Sequence, residues 1–188
     1  MRSEFEKMRN EELADFSDPE IQASFKHSMK LCAKLQTMTI FDDNYREVIE
    51  ELIPGIPGSS VVCPPIHCDH GSNFILAEDV FINYNAVCVG GGHVRVGKHA
   101  RIGPNCHFYT PNHPMDHVAR REEKEYAYPI TIGEDCWLGG NVTLLPGVTI
   151  GDRCIVAASS VVTRDVPDDC LVAGNPATIK RRLNRKDK

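Results

Sequence analysis

The sequence predicts a mainly β solenoid of short stacked strands, with an N-terminal helical cap and one long loop excursion. Three observations predict this fold class. Helical periodicity is confined to the first part of the chain, an aliphatic residue then recurs every six positions, and that rhythm is interrupted once. The chain divides accordingly into a helical cap at 1–55, a repeat domain at 56–177 that includes loop 109–129, and a basic C-terminal tail at 178–188.

The cap is predicted to contain two amphipathic helices. Asp18-Pro19-Glu20 supplies an N-cap, a first-turn proline and a first-turn acid, and an apolar stripe follows. A second helix, capped by Asp42 or Asp43, has apolar residues at i, i+3, i+4 and i+7. The two stripes are Ile21, Phe25, Met29, Cys32 and Leu35, and Tyr45, Val48, Ile49 and Leu52.

A six-residue repeat begins near residue 60, after a segment rich in proline and glycine. The repeated apolar positions are Val96, Ile102, Phe108, Ile132, Leu138, Leu144, Ile150, Val156 and Val162. Glycine follows five of them, at Gly97, Gly103, Gly133, Gly139 and Gly151. This period indicates a short strand and a corner, with the apolar side chain inside and glycine tolerating the corner conformation. Leu76, Ile82 and Cys88 keep the period in a frame offset by two, so an insertion is predicted within residues 89–93.

Composition excludes several functional classes. The net charge of −5 argues against a nucleic-acid partner. No apolar run reaches the ~18–20 residues of a membrane span, and the charged N-terminus lacks the apolar core of a signal peptide. We therefore expect a cytoplasmic protein without a membrane partner. The eight cysteines include no Cys-x-x-Cys pair, so we expect reduced thiols, with Cys106, Cys136 and Cys154 as core filler.

Four motifs together resemble the maltose/galactoside O-acetyltransferase family. They are the hexapeptide rungs, Asn112-His113-Pro114, Gly133-x-x-x-Trp137-x-Gly139 and Ala173-Gly174-Asn175-Pro176-Ala177. The stretch from Glu12 to Ile21 also resembles that family's helical cap. The resemblance implies a left-handed parallel β-helix with about 18 residues per turn. It also implies a homotrimer with active sites between subunits, acetyl-CoA as co-substrate, a small-molecule acceptor and no metal.

The same resemblance assigns the site residues. It implies that His113 is the catalytic base, with Asn83 and Glu125 beside it. The positions implied to contact the acceptor are Asp15, Asp69, Asn83 and Gly91. The positions implied to contact CoA are Asn83, Trp137, Gly140, Ala158, Thr163, Arg164, Thr178 and Arg181. The family's galactoside enzyme has serine and aspartate in place of Asp69 and Gly91, so the identity of the acceptor stays open.

Acetyl transfer to a hydroxyl requires a base, donors for the developing oxyanion, and alignment of the two substrates. An imidazole, with an ordinary pKa of ~6.5, accepts a proton at neutral pH. We expect His113 to take the acceptor's proton and pass it to the CoA thiolate, without a covalent enzyme intermediate. Glu125 either orients His113 or binds the acceptor, and a backbone N–H near Gly139-Gly140 stabilises the oxyanion. Side chains suited to the phosphates of CoA are Arg164, Lys180, Arg181 and Arg182.

Three alternatives remain at this stage. The same chemistry fits a different acceptor, such as a lipo-oligosaccharide intermediate, an antibiotic or serine. A γ-carbonic-anhydrase-type metalloenzyme would bind zinc through histidines of neighbouring subunits, and His107, His113 and His117 are available. A non-catalytic β-helix scaffold is the third, because similar coils host several activities. The remaining histidines of the repeat region are interpreted as surface or structural residues: His67, His70, His93 and His99.

Overall fold

The computed structural model describes residues 2–184, so Arg185, Lys186 and Lys188 of the predicted basic tail lie outside the described residues. The cap contains α1 (Glu4–Arg9), β1 (Ala14–Asp15), α2 (Pro19–Leu35) and α3 (Tyr45–Leu52). Across residues 2–184, every helix is too short or too polar to cross a lipid bilayer.

The strands that follow the cap form the solenoid, its loop and a C-terminal hairpin. The first two coils contain β2 (Val61–Val62), β3 (Ile66–Cys68), β4 (Phe74–Leu76), β5 (Phe81–Ile82), β6 (Ala86–Val89) and β7 (Val94–Val96). The third coil contains β8 (Arg101–Ile102), β9 (His107–Tyr109), β10 (Pro111–Asn112), β11 (Lys124–Ala127) and β12 (Ile130–Ile132). The last strands are β13 (Trp137–Leu138), β14 (Thr143–Leu144), β15 (Thr149–Ile150), β16 (Ile155–Val156), β17 (Val161–Val162), β18 (Cys170–Gly174) and β19 (Ala177–Arg182).

The solenoid strands stack into three faces. The seven-stranded face has the order β19-β18-β16-β13-β8-β5-β2, the five-stranded face β17-β14-β9-β6-β3, and the four-stranded face β15-β12-β7-β4. Neighbours within a face are parallel, except that β19 is antiparallel to β18. Within each face, neighbouring solenoid strands come from successive turns of the chain. This arrangement confirms the predicted parallel β-helix.

The repeated apolar side chains fill the inside of the prism, as the period predicts. Every position of the predicted frame from Val96 to Val162 is at most 2% exposed. The predicted core thiols of Cys106, Cys136 and Cys154 are at most 1% exposed, and all eight cysteines are buried and free of disulfides. Burial of this apolar surface, shared between neighbouring coils, stabilises the stack.

The lengths of the coils explain the offset frame. Val61 pairs with Phe81 and Phe81 with Arg101, so each of the first two coils takes 20 residues. The coil from β13 to β16 takes 18. The two additional residues of each of these coils lie in longer corners. Residues 69–73 connect β3 to β4, and residues 89–93 lead from β6 to β7. The insertion predicted at 89–93 is confirmed, and an equivalent insertion at 69–73 was not predicted.

The loop excursion leaves the third coil at the corner equivalent to 69–73 and 89–93 of the first two coils. Residues 110–129 connect β9 of the five-stranded face to β12 of the four-stranded face, as 69–73 and 89–93 do in the coils before it. We call this side of the prism the site edge; it consists of the irregular corners 69–73, 89–93 and 109–129 and the short corners 145–148 and 163–165. Every departure from the six-residue rhythm in these coils is therefore concentrated on one edge.

The C-terminal segment is more ordered than the predicted tail. Residues 177–182 form β19, which pairs with β18 through partners such as Gly174 with Ala177 and Leu171 with Arg181. The strand extends the seven-stranded face by one member. Part of the predicted tail at 178–188 is thus an edge strand of the sheet.

The repeat glycines have a different role from the predicted one. None of Gly97, Gly103, Gly133, Gly139 and Gly151 has a positive φ. The left-handed residue of each corner instead lies two positions later, for example at His99 (φ 61°) and Asn141 (φ 60°). Glycine is needed because a Cβ would collide with the next coil: at Gly139 it would lie 2.6 Å from the backbone N of Ala158. The prediction that glycine serves the corner conformation was wrong; close stacking requires it.

This close stacking makes Gly97→Ala strongly destabilising. Its Cβ would lie 2.5 Å from the backbone carbonyl carbon of Gly133, and backbone atoms cannot rotate away. We expect urea denaturation to show a loss of about 1–3 kcal/mol in the free energy of unfolding. Gly58→Ala is the matched control, since an added Cβ there has no atom within 4 Å. Equal stabilities of the two variants would contradict the stacking role.

The cap follows the predicted helices with two corrections. The Asp18 side chain caps α2 as predicted, by accepting from the backbone N–H groups of Glu20 and Ile21. Asn44, without a side-chain cap bond, occupies the N-cap position of α3, and Asp42 instead accepts from Thr39. These N-cap predictions for Asp42 and Asp43 were therefore wrong.

The second correction concerns the buried stripe of α2. Met29 is 54% exposed, while Ser28 is buried, and its Oγ is satisfied there by accepting the backbone N–H of Gly71 at 3.0 Å. Ser28, and not Met29, therefore continues the buried i, i+3, i+4 pattern of α2. The inclusion of Met29 in the stripe was wrong.

Helix α1 lies within the stretch 1–53 that the sequence predicts to be helical, but it is a third helix beyond the two predicted ones, and the sequence carries its signal. Ser3 and Glu6 form a reciprocal capping box at its start. Beyond α1, β1 pairs antiparallel with β11 of the loop excursion, and Ala14 lies opposite Glu125. The cap is thereby attached directly to the loop that carries His113.

Candidate functional site

The site edge is held together by hydrogen bonds between successive corners. The Asp69 carboxylate accepts the Gly90 N–H at 2.7 Å, and the Thr110 Oγ accepts the Gly92 N–H at 3.1 Å. The Thr110 hydroxyl also donates to the Val89 carbonyl at 2.9 Å. These bonds join the three irregular corners into one continuous surface, and the loop excursion starts from the last of them.

The excursion returns on itself as a hairpin that positions His113. Strands β10 and β11 pair antiparallel, with Asn112 opposite Tyr126, so His113 and Glu125 lie next to each other at the end of the pairing. His113 Nε2 lies 3.9 Å from a carboxylate oxygen of Glu125. The side chain of His113 is 58% exposed and that of Glu125 only 11% exposed. The histidine therefore presents an accessible ring beside a buried carboxyl group.

Both residues line a cleft of about 620 Å³ between the loop and the cap. We call it the histidine cleft, and its lining consists of Phe16, His113, Arg120, Arg121, Glu122, Glu123, Lys124 and Glu125. Phe16 comes from the cap, because β1 places it beside the loop, and its backbone N–H donates to the Glu123 carbonyl at 2.8 Å. The predicted site did not include Phe16, because the pairing of β1 with β11 joins residues that lie more than a hundred positions apart.

Electrostatics distinguish two of the predicted site carboxyl groups, Glu125 and Asp69, from ordinary surface acids. Burial raises the pKa of Glu125, the negative charge of Asp69 raises it further, and His113 lowers it. Burial also raises the pKa of Asp69, against the hydrogen bond from Gly90. Glu125 Oε1 is buried without a hydrogen-bond partner among the described residues. A buried carboxylate oxygen without a donor is costly, so this atom is available for a ligand.

A second cleft, of about 600 Å³, runs along the seven-stranded face. We call it the tryptophan groove, and its lining consists of Asn83, Gly103, Pro104, Trp137, Gly139, Gly140, Ile155, Val156, Ala157, Ala158 and Leu171. Four of the residues predicted to contact CoA therefore lie together: Asn83, Trp137, Gly140 and Ala158. Trp137 is 57% exposed and offers an apolar ring face to a ligand.

Of the other four predicted CoA positions, two lie on the strand beside the tryptophan groove and two lie on the site edge. Thr178 and Arg181 lie on β19, where Arg181 pairs with Leu171 of the tryptophan groove. Thr163 and Arg164 follow β17 and are exposed on the site edge, above the corner that carries His113. The structure thus places predicted CoA residues on both the groove and the site edge.

Two predicted acceptor residues have local partners. The Asp15 carboxylate accepts from the backbone N–H and the hydroxyl of Ser17, and these bonds lower its pKa. Gly91 is buried beneath α1, where an added Cβ would overlap the side chain of Met8, and its carbonyl accepts from Asn73. Gly91 supports the corner and is not exposed in the histidine cleft.

The metalloenzyme alternative requires histidines of neighbouring subunits to meet, and in this chain His107 lies outside the histidine cleft. The His107 ring stacks on Tyr109 with centroids 5.6 Å apart, and it is not part of the lining of the histidine cleft. Within residues 2–184, no group of three or more His, Cys, Asp and Glu side chains is arranged to hold a metal ion.

His70 and His93 were interpreted as structural or surface residues; His70 is buried at 1% exposure, and burial lowers the pKa of both.

Known proteins match this chain in both sequence and fold. Residues 129–164 match the family described as bacterial transferase hexapeptide (six repeats). A putative acetyltransferase of Saccharomyces cerevisiae is 37% identical over 171 residues, which cover 90% of this chain and 87% of that protein. The galactoside O-acetyltransferase of Escherichia coli is 35% identical over 141 residues, 75% of this chain and 70% of that protein.

A solved structure shows the same architecture. The hexapeptide-repeat acetyltransferase of Vibrio cholerae, complexed with acetyl coenzyme A, has a TM-score of 0.90 and 39% sequence identity. The match covers 97% of this chain and 100% of that one. The predicted family is thereby confirmed, and this chain belongs to the hexapeptide-repeat acetyltransferases of the maltose and galactoside O-acetyltransferase type.

Proposed function

We propose that this chain transfers the acetyl group of acetyl-CoA to a hydroxyl of a sugar or a related small acceptor, with His113 as general base. The observation that carries the proposal is an accessible imidazole 3.9 Å from a buried carboxyl group in a ligand-sized cleft. This distance is too long for a direct hydrogen bond, so both groups remain available to the acceptor. One acceptor hydroxyl donates to His113 Nε2, and a neighbouring polar group of the same molecule donates to Glu125.

Acetyl-CoA occupies the tryptophan groove in this proposal. The pantetheine arm lies against Trp137, and the small residues Gly140 and Ala158 let the thioester approach the backbone closely. The Gly139 N–H already donates to the Val156 carbonyl at 2.8 Å, so the neighbouring Gly140 N–H is the donor that we assign to the oxyanion. Arg181 on β19 and Arg164 on the site edge are assigned to the phosphates.

The two clefts have no residue in common, yet the base and the thioester must meet within a few ångströms. We therefore propose a homotrimer in which the site edge of one subunit faces the tryptophan groove of the next. This arrangement accounts for the division of the predicted CoA residues: Thr163 and Arg164 would approach the cofactor from one subunit, and Trp137 and Ala158 from the other.

The transfer then proceeds without an acetylated enzyme. The acceptor oxygen attacks the thioester carbon while His113 takes its proton, and a C–O bond forms. The oxyanion collapses, the C–S bond breaks, and the imidazolium returns the proton to the CoA thiolate. The products are an O-acetylated acceptor and free CoA, and the histidine is regenerated.

Release of free thiol from acetyl-CoA, measured over a panel of mono- and disaccharides, amino alcohols and serine, tests the proposal. We expect acceptor-dependent thiol release and an O-acetyl product, identified by mass spectrometry and NMR. Serine or an aminoglycoside as the preferred acceptor would support the non-sugar alternative. Binding of acetyl-CoA without transfer to any member of the panel would contradict the proposed function.

A further inference from the structure

Two cysteine side chains meet where the helical cap packs on the solenoid. Cys32 lies on α2 and Cys68 on β3, and their Sγ atoms are 3.7 Å apart although the residues are separated by 36 positions in the sequence. The Cys32 Sγ also lies 4.0 Å from the Cys68 carbonyl oxygen, and each side chain is 6% exposed. The cap and the first coil therefore contribute one thiol each to a close pair.

A cleft of about 360 Å³ between α2 and β3 reaches this pair. We call it the helix cleft; both cysteines belong to its lining, and so does Met29, which is 54% exposed and marks its opening to solvent. By contrast, Cys136 and Cys154 are at most 1% exposed and line neither this cleft, the histidine cleft nor the tryptophan groove. A small solute thus has access to Cys32 and Cys68 that the interior thiols lack.

The two thiols of the pair differ in acidity. The hydrogen bond from Cys68 lowers the pKa of Cys32, whereas the same bond and burial raise the pKa of Cys68. Cys88, the neighbour of Cys68 in the parallel ladder, is 2% exposed, and burial raises its pKa to about 12. Because the thiolate is the reactive form, Cys32 is the nucleophile, Cys68 is the partner within reach, and Cys88 stays a protonated thiol.

We propose that Cys32 and Cys68 form a reversible disulfide when the protein meets a peroxide. The Cys32 thiolate attacks one oxygen of hydrogen peroxide, the O–O bond breaks, and Cys32 becomes a sulfenic acid while the other oxygen takes up a proton and leaves as water. The Cys68 sulfur then attacks the Cys32 sulfur, the S–O bond breaks, and this oxygen leaves as a second water with the Cys68 proton. The two sulfurs are oxidised, and the peroxide receives their two electrons.

The geometry requires little movement for this step. An S–S bond is about 2.0 Å long, so the two sulfurs approach each other by less than about 2 Å from their separation of 3.7 Å. The bond ties α2 covalently to β3, and it thereby fastens the cap, which carries Phe16 of the histidine cleft, to the solenoid. This oxidation site is independent of the acetyl transfer proposed above.

Thiol counting and peptide mapping of the full chain test the proposal. The protein is treated with a few equivalents of hydrogen peroxide, remaining thiols are alkylated during acid denaturation, and disulfide-linked peptides are identified by mass spectrometry. We expect the eight thiols to decrease by two, the linked peptides to contain Cys32 and Cys68, and dithiothreitol to restore all eight. In Cys68→Ala we expect no disulfide, and we expect dimedone to trap Cys32 as its sulfenic acid.

Cys63→Ala is the matched control. Cys63 is 8% exposed and lines a different cleft of about 240 Å³, but its thiol has no hydrogen bond to another thiol among the described residues. This variant should still lose two thiols and give the same linked peptides. A wild-type chain that keeps eight thiols, a disulfide between other cysteines, or a Cys68→Ala chain that still loses two thiols to a disulfide would overturn the inference. The peptide map of the wild type decides the matter even if Cys68→Ala does not fold.

Discussion

His113→Ala is expected to lower kcat by at least about 100-fold, because general-base catalysis contributes about 10²–10⁴-fold. The KM for acetyl-CoA should stay within about threefold of the wild-type value, since His113 does not line the tryptophan groove. Stability should change little, because the side chain is 58% exposed and its recorded ion-pair contact is a 3.9 Å approach to Glu125. Steady-state kinetics of thiol release, with thermal melts of both proteins, provide the measurement.

His117→Ala is the control for this variant. His117 lies four residues further along the same loop, is exposed, and is absent from the lining of the histidine cleft. It should keep kcat within about twofold of the wild type. If His113→Ala retains wild-type turnover, His113 is not the base. Comparable losses in both variants would instead revive the metalloenzyme alternative, in which both histidines are zinc ligands.

Acidification is expected to loosen the cap through His70. The ring is 1% exposed and lies among Phe5, Phe16 and Phe25, with centroids 5.8–6.2 Å away. Its Nδ1 lies 2.9 Å from the Ser24 hydroxyl, and its Nε2 has no partner among the described residues. Burial, assisted by the nearby Arg9 charge, lowers the pKa of His70 from 6.5 to about 4.

The sign of the effect follows from proton binding. Between pH 6.5 and 4 the unfolded chain binds a proton at residue 70 and the folded chain does not, so protonation favours unfolding. The stability linked to His70 is fully present above pH 6.5 and is lost as the pH falls towards 4. The loss is about 2 kcal/mol by pH 5 and about 3 kcal/mol by pH 4. The raised pKa values of Asp69 and Glu125 act in the opposite direction, so variants must be compared with the wild type.

Chemical denaturation at pH 7.5 and pH 5 checks this expectation. His70→Phe, which retains an aromatic ring in the same surroundings, should lose about 2 kcal/mol less than the wild type over this range. His67→Asn is the control, because His67 is exposed on the neighbouring strand β3, and it should keep the wild-type difference. A His70→Phe protein with the full wild-type acid sensitivity would contradict the role of His70.

The fold could be predicted further from the sequence than the site could. A six-residue period with apolar residues in one frame admits few architectures, and the positions from Val96 to Val162 are buried as that frame requires. The role of the glycines could not be deduced, because the period is the same whether glycine serves a positive φ or a close approach. Only the coordinates show that Gly139 faces the Ala158 backbone.

The site depends on contacts between distant parts of the chain, and these leave no local pattern. Pairing of Ala14 with Glu125 brings Phe16 to the histidine cleft, and stacking of corners brings Asp69 beneath the loop. The sequence does contain one signal of the site edge. The two-residue insertions at 69–73 and 89–93 lie at equivalent positions of successive coils, so the two corners must stack on each other. Counting both would have located the site edge before the structure was known.

Activity of mixed trimers tests the composite site most directly. Ala158→Trp fills the tryptophan groove at an exposed position, and His113→Ala removes the base. Each variant alone should be nearly inactive. Chains of both kinds, carrying different affinity tags and refolded together, should form trimers in which about a quarter of the sites combine an intact groove with an intact His113, and activity should recover accordingly. Doubly tagged trimers without any activity above that of the parents would show that His113 and the groove do not meet across a subunit boundary.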